Sequence, residues 1–180
     1  DDDVAGFTIA ETEGSTGVDE SGSTDIFTVV LNAEPSSNVV LDITSSDTGE
    51  ATVTSSLTFT AANWDTAQNV TVTGADDGII DGTQTSTITV TVVDAITDDD
   101  FDAVADQTVS VTTTDDDVAG FTIAETEGST GVTEAGSTDL FTVVLNAQPT
   151  TDVVLTISSG DTGEATVTSS LTFTLSLIHI

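Results

Sequence analysis

The sequence predicts an all-β protein, an immunoglobulin-like antiparallel β-sandwich repeated in tandem with the second copy truncated. Three observations predict it. Apolar residues alternate with Thr, Ser and Asp at a spacing of two, turn-forming residues separate the alternating rows, and a long stretch of the chain recurs 114 residues later. Alternation of this kind marks strands with one face buried and one in water.

The rows follow in order. Phe7 and Ile9 share a phase, followed by Phe27, Val29 and Leu31, then Val39, Leu41 and Ile43. Leu57 with Phe59, Val70 with Val72, Ile88 with Val90 and Val92, and Val109 with Val111 complete seven short strands. Branched, aromatic and Thr residues fit a pleated surface better than a helix. Between the rows lie Glu34-Pro35, Ser46-Asp47-Thr48-Gly49, Asp76-Asp77-Gly78 and Asp81-Gly82, all turn chemistry. No window has helical periodicity. Trp64, the one tryptophan, is expected to anchor the core or close one end of it.

The segment DDDVAGFTIAETEGSTGV at Asp1 returns at Asp115. The copies agree at roughly 50 of about 60 aligned positions, a period the size of a domain. Residues 1–3 are therefore read as the end of a preceding repeat, 4–117 as one complete sandwich, and 118–174 as the N-terminal half of a second. Exchanges between copies obey the strand phase: Asp42 becomes Thr156 and Thr44 becomes Ser158 on faces expected to meet water. Residues 175–180 break the repeat and match the translation of a transposase-type sequencing adaptor. They are read as non-native, so His179, the only histidine, is assigned no role.

Charge decides which partners are excluded. The chain has 32 Asp plus Glu and no Lys or Arg, for a formal net charge of −32. Nothing is available to neutralise a phosphate backbone, so nucleic-acid binding is excluded, and an anionic membrane surface would repel the chain. No apolar stretch is long enough for membrane insertion as a helix. Zero Cys excludes disulfides and thiolate metal sites.

With no cationic side chain to pair with, clustered carboxylates must be screened by salt, protonated or bridged by metal. Three acidic places stand out. Asp76-Asp77-Gly78-Ile79-Ile80-Asp81 follows a strand, Asp115-Asp116-Asp117 closes the last strand of the repeat, and Asp98-Asp99-Asp100-Phe101-Asp102 lies in a loop. The last is read as a solvated loop. Calcium takes six to eight oxygen ligands, so a site needs several carboxylates converging. Neither an EF-hand spacing nor a glycine-rich nonapeptide is present.

The opening FTI with Glu11, the stretch LTFT at Leu57–Thr60, Asn63-Trp64, QNVTVTG at Gln68–Gly74, the DDGIID turn at Asp76–Asp81 and TTTDDD at Thr112–Asp117 together resemble the Calx-beta family. The likeness is to the bacterial branch found in tandem within large extracellular proteins. It spans all of the first repeat and the present part of the second. The resemblance implies Ca2+ at one end of the sandwich, held by Asp76, Asp77 and Asp81 with Asp115, Asp116 and Asp117, with Glu11 and Asp47 as further candidates.

It also implies a non-catalytic calcium-binding structural repeat of a secreted or cell-surface adhesin. Calcium would stiffen the joint to neighbouring repeats of the same chain, and other domains would contact a host, surface or matrix ligand. Two alternatives stay open: an accessory repeat of a secreted enzyme or toxin whose catalytic domain lies elsewhere, and an acidic spacer without metal. No catalytic residues are expected, because the acids lie in turns and no usable His, Cys or Lys accompanies them.

Overall fold

The computed structural model describes residues 3–175. It forms two compact units: the chain up to Asp77 with Asp81–Asp116, and Gly78–Ile80 with the chain from Asp117 onward. Among the described residues, no helix is long and apolar enough to cross a membrane.

The first unit is a β-sandwich of nine strands. In chain order these are β1 (Phe7–Glu11), β2 (Thr16–Asp19), β3 (Thr24–Leu31), β4 (Val39–Ser45), β5 (Ala51–Val53), β6 (Ser56–Phe59), β7 (Gln68–Gly74), β8 (Gln84–Val92) and β9 (Gln107–Thr114). One sheet has the order β1-β3-β7-β5 and the other β2-β9-β8-β4-β6. The alternation seen in the sequence sets the inner faces. Phe27, Val29, Val70 and Val72 from the first sheet meet Leu41, Ile43, Ile88, Val90, Val109 and Val111 from the second in one core. The outward positions are Thr and Ser: Thr87 on β8 faces Ser110 on β9, and both are exposed.

β2 and β5 are the two strands that the alternating rows do not show. Each is short, four and three residues, too brief for a period of two to be distinctive. β2 also pairs parallel with β9, so the sandwich is antiparallel everywhere except along this edge. The cause is local. After β1, a single 3-10 turn at Thr12–Gly14 carries Glu13 at φ 56° and Gly14 at φ 84°, and the chain then joins the opposite sheet. Gly14 takes this left-handed backbone without a Cβ penalty.

The loop Asp98–Asp102 is only partly solvated, with Asp99, Asp100 and Asp102 exposed and the other two residues turned inward. Phe101 is 2% exposed and belongs to the core, and Asp98 is 4% exposed. The Asp98 carboxylate accepts from Ser36 Oγ (2.7 Å), Ser37 N–H (2.7 Å) and Asp100 N–H (3.1 Å), capping the one-turn helix Asp99–Phe101. Those bonds hold its carboxyl below the ordinary value. The acidic run conceals one aromatic residue, and the burial of that residue draws the loop inward. Trp64 is partly buried against the core, and its carbonyl accepts from Leu31 N–H at 3.1 Å.

The second unit contains β10 (Phe121–Glu125) paired with β11 (Phe141–Leu145), and β12 (Val153–Thr156) paired with β13 (Ser170–Phe173). Its register repeats that of the first: Phe121 opposes Leu145 as Phe7 opposes Leu31. Burial does not repeat, since Phe121 is 52% exposed and Phe7 3%. The difference is the sheet partners: in the first unit β7 lies on β3 and β8 on β4, and these strands complete the core.

Replacing Phe59 (0% exposed) by Ala is expected to destabilise the first unit by about 3–5 kcal/mol. Replacing Phe121 should cost about 0.5 kcal/mol or less. Urea unfolding followed by Trp64 fluorescence separates the two outcomes.

Candidate metal centre

The strand register brings several acidic residues to one end of the first sandwich. β2 and β9 run parallel and end together at Asp19 and Thr114, so Glu20 and Asp115 emerge side by side. β8 begins at Gln84 opposite Thr113, which places the preceding Asp81 at the same end. In the other sheet β7 ends at Gly74 opposite Ala51, so Glu50 precedes β5 and Asp77 follows β7 there too.

Backbone hydrogen bonds hold these termini. Glu20 N–H donates to Thr114 O (3.1 Å), Ala75 N–H to Glu50 O (2.8 Å), and Gly82 N–H to Asp115 Oδ2 (2.8 Å). The inner face of the sandwich changes character here. Positions that carry Ile and Val deeper in the core are Glu20, Ser86 and Thr113 towards this end, all buried. Thr113 Oγ1 donates to Glu50 O at 3.3 Å.

The central observation concerns Glu20. It is 1% exposed, and its Oε2 accepts no hydrogen bond. Glu50 Oε2 is likewise buried without a partner. Glu20, Glu50 and Asp81 each offer a carboxylate oxygen, and the three lie within 4.8 Å of one another. Oxygens bound to one calcium at about 2.3–2.6 Å lie no more than about 5 Å apart, so the spacing fits a shared ion. Two like charges about 5 Å apart repel by roughly 3 kcal/mol at an effective dielectric near 20. The chain has no Lys or Arg to offset this.

Protonation responds accordingly. Burial, reinforced by Asp115, Asp77, Glu50 and Asp81, pushes the Glu20 carboxyl up to about 7. Burial, then Asp81, Asp47, Asp77 and Asp115, raises Glu50 as well. At the rim, Asp19 is held below its ordinary value by the hydroxyls of Ser21 and Ser23.

The residues singled out from the sequence divide into groups. Asp81 lies in the triad, and Asp77 and Asp115 are near enough for their charges to act on both glutamates. Asp47 acts on Glu50, but its Oδ1 accepts from Gly49 N–H (2.9 Å) and serves its own turn. Asp76 and Asp116 are exposed, and Asp117 belongs to the second unit. Glu11 accepts from Thr16 Oγ1 (3.0 Å) at the far end of β2 from Glu20.

Glu20 and Glu50 were not legible as ligands. Each lies in a turn outside the conspicuous Asp runs, Glu20 beside Asp19 and Glu50 three residues after Asp47. The repeat held a signal: Asp19 and Ser21 change to Thr133 and Ala135, while Glu20 and Glu50 return as Glu134 and Glu164. In the second unit both glutamates are exposed.

No family model matches the chain, and no curated protein matches it. Among solved structures, the E. coli chaperone DraB aligns at 9% identity over 66% of this chain, with a TM-score of 0.45; the chain spans 59% of that protein. The apo-form Calx CBD1 domain aligns at 15% identity over 62% of this chain and 98% of that one, with a TM-score of 0.44. The calcium binding domain CBD12 of CALX1.1 aligns at 16% identity over 96% of this chain and 73% of that one, with a TM-score of 0.45.

A carboxyl raised in the folded state binds protons that the unfolded chain releases. The contribution of Glu20 to metal-free stability is therefore expected to be complete below the ordinary glutamate value of 4.5 and to be lost as pH rises towards about 7. Glu20→Gln should flatten that decline and raise stability at neutral pH. Urea midpoints between pH 4 and 8, in chelator, provide the check.

Proposed function

We propose that the first unit is a non-catalytic calcium-binding structural module, with Glu20, Glu50 and Asp81 as its central ligands and Asp77 and Asp115 around them. The observation that carries this reading is the buried Glu20 carboxylate, whose Oε2 has no hydrogen-bond partner and which lies beside two other carboxylates. A buried charge of this kind is tolerated when paired or bound to metal. Hard oxygen donors without nitrogen or sulfur suit calcium better than a transition metal.

The wider reading is a repeat of a secreted or cell-surface adhesin, extracellular, with neighbouring repeats of the same chain as its partners. Asp115 opens the acidic run by which the chain passes from one repeat to the next. Calcium bound there would tie that run to the sandwich and stiffen the joint. An accessory repeat of a secreted enzyme or toxin would use the ion in the same way.

An acidic spacer without metal is the competing reading. The raised Glu20 carboxyl favours it, because protonation near neutral pH is another way to remove the charge.

Calcium titration by calorimetry distinguishes them. The full chain is expected to release or take up heat saturably, and at ten times the dissociation constant to gain about 1.4 kcal/mol of stability. Glu20→Gln, Glu50→Gln and Asp81→Asn should each remove most of the heat, while Glu11→Gln and Asp76→Asn should leave it. Identical melting curves in calcium and in chelator would exclude the calcium reading.

A further inference from the structure

We propose that Gly74 is a positioning residue for the metal centre, setting the gap across the end of β7 that brings Glu20 and Glu50 together. The residue is buried, and its role is one of space. A Cβ built on Gly74 would overlap the carbonyl oxygen of Asp19, fall 2.8 Å from the Asp19 carbonyl carbon and touch Val18 Cγ2 at 3.4 Å. The first two are backbone atoms, so no flexible side chain can give way. Its φ is not among the positive values of the chain, so a backbone demand for glycine is absent.

Both glutamates are tied to this point. On one side, Gly74 N–H donates to Ser23 O (3.0 Å), and Ser23 Oγ accepts from Asp19 N–H (2.7 Å). The turn carrying Glu20 is thereby pinned against the last residue of β7. On the other side, Gly74 pairs with Ala51, and the next residue, Ala75, donates to Glu50 O (2.8 Å). Glu20 therefore sits in contact range of Glu50 because the Asp19 backbone lies where a side chain at position 74 would be. A methyl group there must displace the Asp19–Glu20 segment from β7 and open the triad. The other glycine of this edge, Gly17, behaves differently: a Cβ meets only Thr112 O, at an ordinary 3.8 Å.

This deepens the calcium reading and rests on it for the affinity measurement alone. The test compares the full chain with Gly74→Ala and, as a control, Gly17→Ala, using calcium calorimetry and NMR titration of the Glu20 carboxyl carbon in chelator. Gly74→Ala is expected to weaken calcium binding at least tenfold and to return the Glu20 titration towards that of an ordinary glutamate, with Gly17→Ala unchanged in both. A folded Gly74→Ala protein with calcium affinity within twofold of the parent and an unaltered Glu20 titration overturns the proposal. If the parent chain takes up no calcium, the calcium reading fails, and the metal-free titration still decides whether Gly74 sets the spacing. Should Gly74→Ala not fold, Ser23→Ala removes the hydroxyl that holds Asp19 N–H while keeping the backbone bond. A severalfold loss of affinity or a lowered Glu20 titration then supports the proposal, and no change in either overturns it.

Discussion

Mutual repulsion among carboxylates, without a single Lys or Arg to relieve it, is the constraint around which the first unit is organised. Over most of the surface water and salt screen the charges, and the acids stand apart in turns and on outward strand positions. At one end of the sandwich that solution is unavailable. Glu20 is enclosed between the ends of β2, β7 and β9, and its charge faces those of Glu50 and Asp81. Either a proton or a cation must settle there, and the ligand set and its spacing suit calcium.

The fold reaches this arrangement through strand register. A deep core of Val, Ile, Leu and Phe holds the sheets together and makes the positions of the strand ends rigid. Towards the acidic end the inward positions change to Ser86 and Thr113, so the polar site grows from the core side chain by side chain. The hydrophobic effect supplies the stability, and the site draws on that stability to keep like charges close. The second unit illustrates the dependence. Its Glu134 and Glu164 match Glu20 and Glu50 in sequence, yet both are exposed in a unit of two two-stranded sheets.

The opposite treatment of two buried acids in the same unit is instructive. Asp98 accepts four hydrogen bonds and is held ionised, which makes it a fastener for the loop that seats Phe101. Glu20 has an oxygen with no such bond, and its carboxyl is pushed towards protonation. Burial alone does not mark a site; the missing partner does.

Alternation of apolar and polar residues by itself determined the sandwich, the inward rows and the repeat, because a period of two and a 114-residue recurrence are properties of the chain read in one dimension. The sequence also drew attention to Asp77, Asp81 and Asp115, since runs of acids with no cation are conspicuous. It did not single out Glu20 or Glu50, show that Asp98 and Phe101 turn inward, or reveal the parallel pairing of β2 with β9. Each of those depends on which strand ends meet. Residues 20, 50 and 81 become neighbours only when two sheets close face to face, and acids in separate turns carry no local mark of that meeting.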